Sequence, residues 1–135
     1  MERETIVPEG YEAQLEQWGL APAVRVGATV YCSGQLGFGA DGTLPADPEV
    51  QLVNAFEHVA SVLRGAGATL ADVVELTSFH VGISDQLGVF AKVRDRFLEK
   101  PPPAQTAVGV ASLALPGAVV ELKAIAVIGS GSSDE

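Results

Sequence analysis

Between residues 48 and 64, apolar side chains recur at Leu52, Phe56, Val59 and Leu63, three or four positions apart. That spacing gathers them on one face of an α-helix. Asp47 suits the N-cap and Pro48 the first helical position, where a missing amide proton costs nothing. The GAGA run from Gly65 to Ala68 supplies the stop. A second helix is predicted over Gln86 to Glu99, with Leu87, Phe90, Val93 and Phe97 facing inward and Ser84 and Asp85 available as caps. Lys100 and three consecutive prolines end it, because proline cannot continue a helix and restricts its predecessor.

Elsewhere the period is two. AVRVG (Ala23–Gly27) and TVYCSGQL (Thr29–Leu36) read as strands joined at Gly27-Ala28. VVELTSFHVGI (Val73–Ile83), QTAVGVASL (Gln105–Leu113) and AVVELKAIAVI (Ala118–Ile128) follow, and a further strand is expected around Thr5 to Val7. The order β-β-α-β-α-β-β predicts an α+β two-layer domain, with two helices on one face of a mixed sheet. In the last strand Val120, Leu122, Ala124 and Ala126 point one way, and Val119, Glu121, Lys123 and Ile125 the other. The second set places a carboxylate and an amine among aliphatics. Such a face is expected to be covered by other subunits, its polar groups lining a crevice between them.

At 135 residues the chain is of single-domain size. Residues 1–128 read as one domain, and 129–135 (GSGSSDE), lacking apolar residues, as a disordered tail. The formal net charge is -9 and the eight Lys and Arg are scattered. Nucleic acid and anionic membranes are therefore excluded as expected partners. Cys32 is the one cysteine, which rules out an internal disulfide and suits a reducing compartment. MERETIVPEG has no apolar signal region and no stretch approaches a membrane span, so the expected location is the cytoplasm.

VRVGATVYCSGQLG, ATLADVVELTSFHV and PGAVVELKAIAV, in this order and at this spacing, resemble the RidA family, also called YjgF or L-PSP endoribonuclease-like. The resemblance extends from about Ala23 to Val127. It implies a chorismate-mutase-like subunit assembling as a homotrimer, whose three sheets form a central barrel with small-molecule sites in the clefts between subunits. The implied reaction is cofactor-free hydrolysis of 2-imino acids and their enamine tautomers to 2-keto acids and ammonia. In deaminating members an Arg at the head of the penultimate strand holds the substrate carboxylate. That position here is Gln105. A neutral amide replaces a bidentate guanidinium, which lowers affinity for an anion by about tenfold to a hundredfold.

Further departures fall at Leu20, where the family often has Tyr, at Phe90, where it often has Asn, and at Thr106-Ala107, where it has a small Ser- and Cys-bearing segment. Ser33-Gly34 and Glu121 match. By resemblance Glu121 is the catalytic candidate, and Gln105, Ser33, Gly34, Leu20, Phe90 and Ala107 are the substrate-binding candidates. No metal and no cofactor are expected.

The residues themselves leave alternatives open. Glu121 suits a general acid or base raised by partial burial, or a structural carboxylate paired with Lys123. Gln105 suits a hydrogen bond to a neutral ligand, or a strand-end cap. His80 reads as a structural histidine, since His58 alone makes no metal set with it. Cys32 reads as a buried inert thiol, Ser33 as a cleft-wall hydroxyl and Gly34 as a point where a ligand approaches the backbone. Gly37 and Gly39 belong to no phosphate-binding fingerprint. Three functional readings compete: a RidA-like catalyst on a small imine, enamine or other electrophile; a non-catalytic ligand-binding trimer; and a nuclease or translation inhibitor, which the charge disfavours.

Overall fold

Six strands form one sheet in the order β1-β2-β3-β6-β4-β5 in the computed structural model, which describes residues 2–131. The strands are β1 (Arg3–Ile6), β2 (Ala23–Val26), β3 (Thr29–Leu36), β4 (Val73–Val81), β5 (Ala104–Val110) and β6 (Val120–Val127). The helices are α1 (Glu12–Glu16), α2 (Pro48–Gly65) and α3 (Leu87–Phe97). Only β4 and β5 pair in parallel; every other neighbouring pair is antiparallel. This is the mixed-sheet α+β architecture expected from the alternation pattern.

Helix α2 begins and ends as its sequence dictates. The Asp47 carboxylate accepts from the Glu49 amide at 2.9 Å with Pro48 at the first position. At the other end Gly67 takes φ +91°. The Gly67 amide donates to Arg64 O at 3.0 Å and the Ala68 amide to Leu63 O at 2.9 Å. That pair of bonds is a Schellman closure, and its left-handed residue is one that a side chain would strain. Leu52, Phe56, Val59 and Leu63 are all buried against the sheet. From β6 they meet Val120, Leu122, Ala124 and Ala126, the alternate set picked out by the pattern.

Helix α3 departs from expectation. Its N-cap is Gln86, without a side-chain capping bond; Ser84 and Asp85 belong instead to a 3-10 turn over Ile83–Asp85. Leu87, placed inward by periodicity, is 50% exposed at the first position of the helix. Phe90 and Val93 are buried, and Phe56 stacks on Phe97 with ring centroids 5.1 Å apart. Helix α1 was not foreseen. It spans five residues and buries none, so no periodicity marks it.

The first three residues of the expected tail are ordered. Gly129–Gly131 form a turn held to the end of the Thr69–Asp72 segment, the Gly131 amide donating to Asp72 Oδ1 at 2.9 Å. Residues 132–135 of the expected tail lie outside the described residues.

Two buried amides fix the loops. Gln51 on α2 donates from Nε2 to Pro45 O (2.7 Å) and Gly117 O (2.8 Å), and its Oε1 accepts from the Val119 amide at 3.0 Å. Gln86 donates to Val81 O (2.7 Å) and Val119 O (3.0 Å). Its Oε1 is then left to accept from His80 Nδ1 at 2.9 Å, which directs the other ring nitrogen to accept from the Ser78 hydroxyl at 2.8 Å. His80 is fully buried and packs edge-on to Phe90. It is the satisfied structural histidine that the sequence suggested.

Candidate functional site

The partner of Ala124 on β3 is Cys32, and that of Leu122 is Gln35; between them the register slips. The irregularity falls on Ser33 and Gly34. A slip of this kind re-aims side chains and opens a ladder. Directly beside it, on β6, stands Glu121, paired with Leu36. A Cβ on Gly34 would fall 2.6 Å from Glu121 Cδ, and its nearest contact would be the Oε2 oxygen. The carboxylate therefore lies over the bare Cα of Gly34, and the space this glycine opens is taken by a side chain of the same chain.

Glu121 makes no hydrogen bond and no ion pair with any described residue. The alternative reading, a carboxylate ion-paired with Lys123, is not formed. Half-burial pushes the Glu121 carboxyl above the usual range, and the nearby positive charge of Lys123 draws it partly back.

The carboxylate opens into a cavity of about 670 Å³ whose floor includes Ser33, Gly34 and Gln35 and whose far wall includes Leu115. The segment from Gly10 to Leu20, carrying α1, forms the near wall. Three polar contacts hold that segment in place. The Tyr11 hydroxyl meets His58 Nδ1 at 2.7 Å, while His58 Nε2 meets Phe38 O at 2.8 Å. Because a carbonyl only accepts, Nε2 carries the proton and Tyr11 donates to Nδ1. Gln14 and Gln35 exchange amide bonds at 2.9 and 3.2 Å. The Ser33 hydroxyl donates to Ala21 O at 2.6 Å. Trp18 and Leu20 complete the wall, Trp18 being 55% exposed.

Of the candidates read from the sequence, Glu121, Ser33, Gly34 and Leu20 come together here. Phe90 does not. It is only 4% exposed, stacked on Phe56 and edge-on to His80 inside the core. Gln105 and Ala107 lie on the exposed edge strand β5, outside this cavity. There Gln105 Oε1 accepts from Arg94 Nη1 at 3.4 Å. Arg94 is braced by Asp95, Nε to Oδ1 3.1 Å, and lies 5.7 Å above the Phe90 ring.

Sequence reading missed Tyr11, Gln14, Trp18, Gln35 and His58. The signal present but unused was an aromatic and amide cluster, YEAQLEQW, just before the first matched block. Cys32 is buried, and burial pushes its thiol up to about 12, as an inert core thiol requires. Among the described residues no group of three His, Cys, Asp or Glu is placed to hold a metal. No described helix is long and apolar enough to cross a membrane.

Together these features describe a mixed α+β domain with a largely apolar cavity at a strand irregularity, holding one carboxylate that pairs with no described residue. Comparison with known proteins says which kind. The family model for endoribonuclease L-PSP matches residues 13–128. The RutC family protein YjgH of Escherichia coli is 35% identical over 127 residues, covering 93% of this chain and 95% of its own. A 2-iminobutanoate/2-iminopropanoate deaminase of Dermatophagoides farinae is 37% identical over 110 residues, 78% of this chain and 83% of that protein. The solved structure of YjgH superposes with a TM-score of 0.85 at 34% identity, covering 95% and 98% of the two chains. The chain belongs to the endoribonuclease L-PSP family, the group also called RidA or YjgF, and has its chorismate-mutase-like fold.

Proposed function

We propose that the chain works as a homotrimer with a small-molecule site at the subunit borders, where it acts on a small reactive imine or enamine. The observation that carries this reading is the Glu121 carboxylate, unpaired, raised by desolvation and facing a cavity. In imine hydrolysis, water adds to the C=N carbon, and the carbinolamine then collapses to a carbonyl and ammonia. Glu121 would take a proton from the attacking water and return it to the leaving nitrogen, a role suited to a carboxyl raised toward neutrality. The mite deaminase among the relatives supports this reaction class. Gln105 and Ala107, remote from the cavity within one chain, would enter it from a neighbouring subunit. The bare edge of β5 supports such an arrangement. No cofactor is needed, and the setting is cytoplasmic.

With Gln105 in the family's Arg position, turnover of 2-imino acids should be weak or absent. The test is ammonia release from freshly generated 2-iminobutyrate by wild type and Gln105→Arg. Weak wild-type turnover with a gain in the variant supports the reading; robust wild-type turnover overturns the missing-clamp argument. Light scattering at three times 13.9 kDa tests the trimer.

One observation favours a second reading, in which the cation has moved. Arg94 touches Gln105, and a guanidinium there could serve the same carboxylate from α3. Robust wild-type turnover abolished by Arg94→Leu would establish it. A non-catalytic ligand-binding trimer is supported if neither protein turns over while small ligands raise the melting temperature. The nuclease role is disfavoured by a net charge of -9 without a basic patch.

A further inference from the structure

The charge around the cavity has a sign that bears on what enters it. Among the described residues of one chain its lining includes no Lys or Arg, and Glu121 is its one carboxylate. That carboxylate lacks a hydrogen-bonding or ionic partner among the described residues. The remaining surface is apolar or aromatic: Trp18, Leu20, Leu36, Phe38 and Leu115. The polar groups that do line it are already committed, Tyr11 to His58, Gln14 to Gln35 and Ser33 to Ala21 O. Within one chain a carboxylate ligand would find one like charge in this lining and no counter-charge, since Lys123, which tempers Glu121, is not among the lining residues. Desolvation already penalises Glu121 itself. A positively charged nitrogen would reverse both effects, and the exposed indole of Trp18 offers it a π face as well.

Resting on the reading of this cavity as the ligand site, we infer that it selects a small organic cation with an apolar body, an amine or iminium lacking a carboxylate. Glu121 is the counter-ion and Trp18 the platform. The relevant imines are then those of simple amines, not those of amino acids.

The chain carries its own reporter, since Trp18 is the single tryptophan and stands at the cavity wall. Three probes of nearly one shape and different charge suffice: benzylamine, benzyl alcohol and benzoate, titrated against Trp18 fluorescence at pH 7 and physiological salt. Benzylamine should bind about tenfold more tightly than the alcohol, and benzoate more weakly than either. Glu121→Gln should bring the amine down to the alcohol's affinity and leave the alcohol unchanged. Glu57→Gln, exposed on α2 and outside the cavity, removes the same unit of overall charge and should change neither.

Benzoate binding as tightly as the amine overturns the charge inference while leaving the cavity as a site. Equal loss of amine affinity in Glu57→Gln overturns Glu121 as the counter-ion. Failure of all three probes to perturb Trp18 or the melting temperature overturns the reading of the cavity itself.

Discussion

Two glycines three residues apart, Gly34 within β3 and Gly37 just beyond its end, give the sharpest test of how the site is built. Neither Gly34 nor Gly37 has a positive φ, so alanine strains neither backbone and only space is at stake. At Gly34 a Cβ would meet the end of the Glu121 side chain, with Cδ at 2.6 Å. The carboxylate can swing aside through its own torsions, so Gly34→Ala should cost under about 1 kcal/mol of stability. It would also push the carboxylate off its seat. At Gly37 the Cβ would meet the backbone of α2, Gln51 Cα at 2.6 Å and C at 2.7 Å. Those atoms lie nearly an ångström inside ordinary contact and cannot rotate away. Overpacking of that kind costs 1–3 kcal/mol or more, and here the obstacle is main chain, so about 3 kcal/mol is expected. For a chain of this length that is roughly a 10 °C fall in Tm.

Thermal unfolding by circular dichroism and amine binding by Trp18 fluorescence separate the two effects. Gly34→Ala should keep its Tm within about 4 °C and lose most of its amine preference. Gly37→Ala should lose its Tm first. A Gly34→Ala protein as unstable as Gly37→Ala, or one whose ligand preference is intact, would refute the placement of Glu121 over Gly34.

Further outcomes follow from the same structure. Cys32, buried and with its thiol pushed up to about 12, should resist iodoacetamide at pH 8 in the native state and react within minutes in 6 M guanidinium; comparable native labelling would contradict its burial. Glu121→Gln should stabilise the protein at pH 7 by under about 1 kcal/mol, water screening the half-buried charge. The folded carboxyl is raised above its unfolded value, so ionisation costs the wild type stability as pH climbs through that window, and the gain should vanish below about pH 4; a gain persisting in acid would argue for packing instead. Gln86→Ala strands His80 Nδ1–H and two carbonyls, Val81 O and Val119 O, in the interior, and should lower the urea unfolding free energy by about 3 kcal/mol. A loss below 1 kcal/mol would show that the network is dispensable.

The layers of the fold were legible because burial imposes periods. Leu52, Phe56, Val59 and Leu63 repeat with the helical turn, and Val120, Leu122, Ala124 and Ala126 with the pleat. Helix α1 imposes no period, since it buries nothing and is tied down by Tyr11 and Gln14, residues whose partners lie 47 and 21 positions away. The near wall of the cavity was therefore invisible to pattern. Leu87 shows the converse error beside Phe90, which does face inward. Both sit in an amphipathic repeat, yet tertiary position alone decides that one is core and the other is bare. Gly34 was singled out as a point where a ligand approaches the backbone; the group lying over it is Glu121 of the same chain, a neighbour 87 positions away that no local pattern reveals.

Gln51 is fully buried and is not among the residues that line the cavity, yet it ties together two loops that supply part of that lining. It holds Pro45 in the loop that carries Gly42, and Gly117 and Val119 in the connection that carries Leu115. A survey confined to residues that touch a ligand would score it as irrelevant. Trimming it to leucine would nonetheless untie those two loops, so selectivity could be retuned while every contacting side chain stays as it is.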